Sequence, residues 1–523
     1  MRNKLRFFIL CLIAIGTFFR FFNIDKKYYW YDETFTSLRI SGYKESEIIK
    51  QVATGQILTP QDLQKYQYPT SEKTVFDTIQ GLGTEEPQLT PLYFILAHWW
   101  GRVFGYSIAA IRSLSAILSL LIFPSIYWLC LELFQSSLTG LLAVGLVAVS
   151  PFHVLYAQEA RPYSLWTVTI LVSTAALLRA IKLKKKRWWV IYTFSLIISL
   201  YSHLLTALLA LAHAIYILII EKYRWTKNIL RFSVSLAFVG ISFFPWIVSI
   251  LISRQTVSER LNWIDRPINV FSLLISWLIN IARGYFDINS NADYGENYFI
   301  LSPLIILAIL VLVAYSLYFL ICHTPMRVWL LVMLLIGVIA IPIIIPDLIW
   351  GGIRSTKARY LIPCYLGMRL AVSYFLAYKI FALKSKVAQN QGKIITITLI
   401  FLGLISCTFS AVSDTWWIKE WGQSNPAIAR IINKTKRPLI VSDISDSSYG
   451  NLTSLSYLVD SKVRFQLILK PNIPQIPSGF SDIFIYTATV DKPQSEIEQT
   501  MNFPLQPIFI DGNKQVWLWK PKK

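Results

Sequence analysis

Charged residues that could take part in catalysis stand directly beside long apolar runs of this chain. Asp32 and Glu33 follow the first apolar run, within the letters WYDET at 30–34. A carboxylate at such a boundary can accept the proton of an acceptor hydroxyl, which is general-base catalysis. The alternative is that the two acids only form the acidic start of a loop helix.

Glu159 and Arg161 occupy a very short turn between the third and fourth apolar runs, within YAQEARPY at 156–163. Ionisable groups held against a membrane are costly, so they are candidates for function by default. A purely structural ion pair between these two side chains is the alternative.

A third group of charges, between the ninth and tenth apolar runs, is cationic. Arg354, Lys357 and Arg359 fall within six positions, and Tyr360 follows them. Lysine and arginine suit phosphate, which arginine can bind through two parallel hydrogen bonds. The cluster therefore predicts a phosphate site, with general binding of lipid headgroups as the alternative.

Two further polar residues lie inside or at the end of apolar runs. Arg112 stands early in the second run, and His203 ends the fifth. Both could face the same site as the other charges. Arg112 could instead extend to the membrane interface, and His203 could be a hydrogen-bonded structural residue.

Sequence signals for a bound nucleotide or metal ion are missing. The chain has no glycine-rich phosphate-binding loop, and its five histidines lack the spacing of metal ligands. We therefore expect neither a metal ion nor a cofactor.

The elements that must position these residues are membrane helices. Hydrophobic residues make up 54% of the 523 positions and charged residues only 15%, which excludes a soluble globular enzyme. A spanning helix needs about 20 mostly apolar residues. Eleven runs are of this kind, so we predict a mainly α, polytopic membrane protein. The runs lie near 5–24, 107–133, 138–156, 164–181, 188–204, 205–220, 232–252, 298–320, 327–346, 360–382 and 394–412.

The distribution of lysine and arginine predicts how these helices are oriented. Basic residues dominate alternate loops, such as KLKKKR at 182–187, and this bias marks the cytoplasmic side. The N-terminus is then cytoplasmic in a multi-pass protein of the inner (plasma) membrane, and the charged segments described above face outward. The same bias accounts for much of the net charge of +21, so no nucleic-acid partner is expected.

The sequence predicts two domains. Residues 1–412 form the transmembrane catalytic domain, whose outer loop 25–106 contains interfacial helices, one of them at 91–104. Residues 413–523 form a small extracytoplasmic α/β domain. Its predicted strands lie at 438–445, 462–469 and 482–490, with a helix at 494–501 and a hairpin at 505–520.

The motifs and their order resemble those of a known family. The Asp-Glu pair after the first run, the Pro-Leu-Tyr interfacial helix and the arginine of the second run are similar to those of the GT-C membrane glycosyltransferases. SPFH at 150–153 continuing to QEAR at 158–161, and RYLIP at 359–363, resemble motifs of glycosyltransferase family 39. That family includes protein mannosyltransferases and aminoarabinose transferases. The resemblance covers about residues 1–412, and the C-terminal domain lies outside it.

This resemblance implies a GT-C fold and an inverting, metal-independent transfer from a polyprenyl-phosphate-linked sugar. It implies that Asp32 is the catalytic base, with Glu33 beside it. Many family members carry a basic residue before the interfacial helix, but QLTPLY at 88–93 has none, which places more weight on the cluster at 354–359. The implied donor- and phosphate-binding residues are Glu159, Arg161, Lys357, Arg359, Tyr360, Arg112 and His203.

Two other functions fit the same pattern. One is a transporter or flippase of lipid-linked sugars, because many spans with intramembrane charges are also typical of transporters. The other is a glycan polymerase or ligase that uses a similar donor. The sequence also leaves open whether the acceptor is a lipid, a glycan or a protein.

Overall fold

The computed structural model describes residues 2–288, 302–420, 422–444, 448–469, 474–487, 494–511 and 515–522. Helices predominate among these residues, and the strands form one sheet. Helices and strands are numbered here in chain order. The predicted fold class, a mainly α membrane protein with a small C-terminal α/β part, is confirmed.

Seven apolar helical segments in the described part of the chain are long enough to cross a membrane. One of them is α7 continuing into α8, and another is α19 with the single turn before it, Ala358–Leu361. The bounds are α7 (Ile108–Leu120), α8 (Ile122–Phe134), α11 (Tyr163–Leu183), α14 (Lys227–Ile252), α17 (Ser302–His323), α18 (Met326–Ile349), α19 (Ile362–Phe381) and α20 (Lys386–Val412).

Two further apolar segments are helices broken by a sharp bend. α9 (Ser137–Ala148) and α10 (Pro151–Ala157) meet at 61°. The segment that begins with α15 (Arg254–Leu261) meets α16 (Val270–Ala282) at 94°. If each bent pair is one span, the described residues contain nine.

The predicted runs coincide with helices or with the bent α9–α10 pair, but the count of eleven spans is not confirmed. Residues 298–301 of the eighth run lie outside the described residues. The fifth and sixth runs are α12 (Lys186–Ser202) and α13 (Thr206–Ile220), which at 17 and 15 residues are shorter than the roughly 20 needed to span. The first run is α1 (Arg2–Phe21), which has cations near both ends. The α15–α16 pair was not predicted.

The bend between α9 and α10 has a visible cause. Pro151 begins α10, and a proline cannot continue the hydrogen bonding of the preceding helix. Two buried arginines bind the carbonyls that α9 leaves unpaired. Arg20 Nη1 donates to Ala148 O at 2.9 Å, and Arg369 Nη1 donates to Leu146 O at 3.0 Å. These cations also match the negative end of the α9 dipole.

Residues 25–106, predicted to be an outer loop and called the outer loop below, are built mainly from short helices. α6 matches the interfacial helix predicted at 91–104, and its Trp99, Val103 and Phe104 side chains are exposed. Its other face is buried through residues such as Tyr93 and Phe94. The elements of the loop are α2 (Tyr31–Ile40), α3 (Glu45–Val52), β1 (Ile57–Leu58), α4 (Pro60–Gln64), α5 (Val75–Glu85) and α6 (Leu92–Phe104).

The C-terminal part contains a six-stranded sheet of order β1-β3-β2-β4-β6-β5. β2 pairs in parallel with β3 and β4, whereas β6 is antiparallel to β4 and β5. The predicted strands, helix and hairpin are present, although residues 445, 488–490 and 512–514 lie outside the described residues. The bounds are α21 (Asn425–Asn433), β2 (Pro438–Asp443), α22 (Ser448–Ser456), β3 (Arg464–Ile468), β4 (Asp482–Tyr486), α23 (Gln494–Met501), β5 (Leu505–Ile510) and β6 (Val516–Pro521).

The outer loop and the C-terminal sheet share one hydrophobic core. β1 pairs antiparallel with β3, at the edge of the sheet. Phe35 and Leu38 of α2 are buried in the same cluster as Ile440, Leu452 and Phe465. The predicted domain boundary at residue 412 remains a prediction. Helices that precede this residue in the chain pack into the same core as the strands that follow it.

The contact between α2 and α22 can be tested at Gly450. A Cβ atom there would lie 2.6 Å from the Phe35 ring and 2.7 Å from the Tyr31 ring. We expect Gly450→Ala to lower the free energy of unfolding by about 1–3 kcal/mol, because overpacking forces the rings apart. Thermal unfolding of the detergent-solubilised protein measures this. Gly240→Ala is the control, since nothing lies within 4 Å of its Cβ position. Equal unfolding temperatures for the two variants would contradict the packing described.

Candidate functional site

A cavity of about 1,070 Å³ brings the predicted outer segments together. It lies between α2, the turn 158–162, the start of α13, the segment from α15 to Arg266, and the turn 354–360. Tyr163, His203 and Tyr360 add aromatic surface to its wall. The charged residues of the lining are Asp32, Glu86, Arg161, Glu259, Arg260, Arg266, Arg354 and Arg359.

Asp32 presents its carboxylate to this cavity. It lies in the first turn of α2, where the helix dipole favours an acid. Its Oδ2 atom is 3.6 Å from Arg161 Nη2 and 3.7 Å from Arg359 Nη1. Both distances exceed that of a hydrogen bond. The side chain is 16% exposed, so the Asp32 carboxylate is attracted by two cations and is still accessible from the cavity.

Glu33, the next residue, points the other way and is completely buried. Its carboxylate accepts two hydrogen bonds of 2.7 Å from Arg112, one of 2.8 Å from Lys419 Nζ and one of 2.9 Å from the Ala160 amide. Burial alone would raise the pKa of Glu33, but the charges of Arg112 and Lys419 lower it to about 2. Glu33 is therefore ionised and saturated with donors, and it is not part of the cavity lining.

Arg112 is also committed to structural contacts. Besides Glu33, it donates to the backbone carbonyls of Ile24 and Lys27 at 2.8 Å and of Tyr28 at 3.0 Å. It is fully buried and lies outside the cavity lining. Arg112 thus fixes the segment that leads into α2, and with it the position of Asp32.

Arg161 and Arg359 are nearly buried cations that face the cavity. Arg161 Nη1 donates weakly to Asp32 O at 3.4 Å and to Thr36 Oγ1 at 3.3 Å. The Arg359 guanidinium stands 5.8 Å from the centre of the Trp30 ring. The Nε atoms of both arginines have no hydrogen-bond partner in the described part of the chain. This pair can therefore donate to an anion that enters beside Asp32.

Glu159 lies behind this wall and is not in the cavity lining. Neither of its carboxyl oxygens has a hydrogen-bond partner among the described residues, and Lys419 Nζ is 3.9 Å from Oε1. Burial raises the pKa of Glu159 to about 8 in spite of Lys419, and the nearby Glu33 carboxylate contributes to the rise. Glu159 thus holds a proton more tightly than an exposed glutamate does.

The remaining predicted residues divide between the cavity and its surroundings. His203 lines the cavity and stacks on Trp166 with ring centres 4.0 Å apart, and Tyr360 lines it as well. Lys357 is not a lining residue, and its ammonium group donates to Glu420 at 2.5 Å. In the described part of the chain, no three His, Cys, Asp or Glu side chains form a cluster that could hold a metal ion.

Lys419 is the important residue that the sequence did not indicate. It is buried, and its Nζ atom approaches both Glu33 and Glu159. It lies 386 residues from Glu33, in a segment without regular periodicity, so no local pattern could identify it.

Glu33 and Asp32 offer a matched pair for testing stability. We expect Glu33→Gln to lower the free energy of unfolding by about 3–5 kcal/mol, because it leaves Arg112 and Lys419 without their buried counter-charge. Asp32→Asn should cost much less, since its carboxylate has only two loose ion pairs. Thermal unfolding at neutral pH distinguishes the two variants.

Because the pKa of Glu33 falls from an ordinary 4.5 to about 2, its stabilising effect should be complete above pH 4.5 and disappear as the pH falls through 2. A Glu33→Gln protein as stable as the wild type would contradict this role.

Comparisons with known proteins agree with this architecture. A family model described as dolichyl-phosphate-mannose-protein mannosyltransferase matches residues 86–248. The crystal structure of ArnT from Cupriavidus metallidurans bound to undecaprenyl phosphate is similar, with a TM-score of 0.50 and 12% identity over 98% of both chains. Its apo state matches with a TM-score of 0.50 and 11% identity, over 98% of this chain and 97% of that one. No curated protein sequence matches the chain. The chain has the multi-pass fold of the GT-C membrane glycosyltransferases, and the resemblance predicted from its motifs is confirmed.

Proposed function

We propose that this protein is a membrane glycosyltransferase that takes a sugar from a polyprenyl-phosphate donor. The observation that carries the proposal is the position of Asp32, whose carboxylate faces a large cavity between two arginines with unused donors. The fold and the matched family model support the same class of reaction. The bound undecaprenyl phosphate in the ArnT structure supports the choice of donor.

Arg161 and Arg359 are proposed to bind the phosphate of the donor. A phosphate in this position would receive hydrogen bonds from two guanidinium groups that the protein already holds in place. As the sugar–phosphate bond breaks, negative charge grows on the phosphate oxygens, and fixed cations in a partly buried site stabilise that charge. His203 and Tyr360 would contact the donor from the same cavity wall. This arrangement supplies the needed positive charge from side chains, so we propose a metal-independent reaction.

Asp32 is proposed to be the general base. The acceptor hydroxyl or amine attacks the anomeric carbon on the face opposite the phosphate, and its proton passes to the Asp32 carboxylate. The new bond to the anomeric carbon forms while the bond to the phosphate oxygen breaks. The polyprenyl phosphate leaves with the electron pair of that bond, and the configuration at the anomeric carbon is inverted.

Glu33 and Arg112 receive a different role from the one predicted for them. Because they bind each other below the cavity, we propose that they position Asp32 and the turn that carries Arg161. Glu159, which lies behind the wall, would act in the same indirect way. For Lys357 to bind the phosphate as predicted, its ammonium group would have to break its ion pair with Glu420.

We propose the side of the membrane from the charge of the loops. In the topology predicted from the sequence, basic residues concentrate in the cytoplasmic loops and the segments that line the cavity fall on the opposite side. Transfer is therefore proposed to occur on the outer face, with an extracytoplasmic C-terminal domain. The acceptor would enter from the aqueous side. Its class, a lipid, a glycan or a protein, is to be identified from the product.

The central test compares three strains: wild type, a deletion and Asp32→Asn. We expect both altered strains to lose one envelope glycan decoration and to accumulate its polyprenyl-phosphate sugar, because the base is missing. Mass spectrometry of lipid-linked sugars and envelope glycans measures both, and the mass difference identifies the sugar.

With purified protein, Asp32→Asn should reduce transfer about 100- to 10,000-fold, and EDTA should not affect the wild type. If the profile changes in the deletion strain and not in Asp32→Asn, then either Asp32 is not the base or the protein moves lipid-linked sugars without transferring them. A transport assay without product formation would then favour the flippase.

The arginines are tested separately from the base. Arg161→Gln and Arg359→Gln should each lower kcat about 100- to 1,000-fold, because charge on the departing phosphate is no longer stabilised. Steady-state kinetics with the identified donor measures this. Arg266→Gln is the control, since Arg266 lines the same cavity, whereas the ion pairs of Asp32 are with Arg161 and Arg359. A similar loss in all three variants would contradict the assignment of the phosphate site.

A further inference from the structure

The cationic cluster 354–360 is divided between two environments. Arg354 and Arg359 line the cavity, whereas Lys357 does not. The Lys357 ammonium donates to Glu420 Oε2 at 2.5 Å and stands 5.4 Å from the centre of the Trp263 ring. Trp263 belongs to the cavity wall, so the lysine lies just behind that wall. One cation of the cluster is therefore neutralised by a carboxylate of the chain itself.

Glu420 ends the junction strap, which we define as residues 413–420 between α20 and the C-terminal part. Hydrogen bonds to residues outside the strap hold it in place. Tyr28 Oη donates to Lys419 O at 2.8 Å, and Lys419 Nζ binds Glu33. Trp416 Nε1 donates to Asp287 Oδ2 at 2.8 Å. The backbone next to Glu420 is thus fixed by buried contacts, while its own side chain is 29% exposed.

A carboxylate and a phosphate compete for the same ammonium group. Lysine carries a compact charge on a flexible four-carbon stem, so its ammonium can exchange one oxyanion for another without movement of the backbone. The Lys357 side chain is 10% exposed and lies against Trp263 of the cavity wall. The two arginines have fixed positions in the lining, and Lys357 is the member of the cluster that can change partners.

We propose that Glu420 is an internal counter-ion that withholds Lys357 from the cavity until the phosphate of a polyprenyl-phosphate ligand replaces it. Glu420 is then a positioning residue that acts through Lys357. The identity of the ligand rests on the proposed function, whereas the exchange of partners rests on the contacts of Lys357. Binding of the ligand would also release Glu420, which links the cavity to the strap and to the C-terminal part that follows it.

The test measures binding of undecaprenyl phosphate to the full-length protein in detergent. Glu420→Gln keeps the shape of the side chain and removes its charge. It should tighten binding about fivefold, because Lys357 no longer has to leave a partner. The same substitution in a Lys357→Met background should have no effect. Asp414→Asn is the matched control, since Asp414 lies on the same strap and pairs with Lys26 at 3.9 Å on the exposed surface.

Kinetics and a second variant complete the experiment. Glu420→Gln should lower KM for the lipid-linked donor and leave kcat nearly unchanged, which a merely structural role would not produce. Glu420→Ala serves if the glutamine variant unfolds at a lower temperature. Weaker or unchanged binding by Glu420→Gln, or equal tightening in the Lys357→Met background, would overturn the inference alone. Failure of the wild type to bind undecaprenyl phosphate would overturn the proposed function and the inference together.

Discussion

The buried carboxylate of Glu33 joins three parts of the chain that are distant in sequence. Its oxygens accept hydrogen bonds from Arg112 in α7, from the amide of Ala160 and from Lys419 in the junction strap. A buried anion between two cations is stable only while every partner is present, since removal of one leaves an uncompensated charge. Because Asp32 adjoins Glu33 and Arg161 adjoins Ala160, this single anchor fixes the distance between the acid and one of the cations that face the cavity. The proposed chemistry depends on this anchor, although in our proposal Glu33 only positions Asp32.

The sequence was sufficient to find segments that meet at the cavity but not which of their residues face it. Asp32, Arg161 and Arg359 were identified because charges next to apolar runs are costly and hence informative. Asp32 and Glu33 could not be distinguished, since neighbours on a helix point about 100° apart and the sequence does not say which face is buried. Lys419 and Glu420 act through partners 386 and 63 residues away, and such contacts leave no local pattern.

The fold was predictable to a similar degree and for similar reasons. A long apolar run and a short run rich in strand-forming residues are local signals. The predicted apolar runs and C-terminal strands therefore coincide with helices and strands of the structure. The bent α15–α16 segment was hidden because α15 is polar and carries Arg254, Glu259 and Arg260. The shared core of α2, α22 and the sheet was hidden as well, because β1 is only two residues long and its pairing with β3 spans most of the chain. Local patterns specify elements, whereas the long-range contacts that assemble the site must be observed.

The two arginines at the end of α9 have a consequence for biosynthesis. Arg20 lies in the last turn of α1, yet the carbonyl it binds on Ala148 is synthesised 128 residues later. Until then the Arg20 side chain must stay near the aqueous boundary, which its place in the last turn of the helix permits. Arg369 arrives 223 residues after its acceptor on Leu146. The broken end of α9, which belongs to the third predicted run, is thus completed in two stages. Arg20 can bind it once α9 has been synthesised, whereas Arg369 can bind it only after α19 has followed.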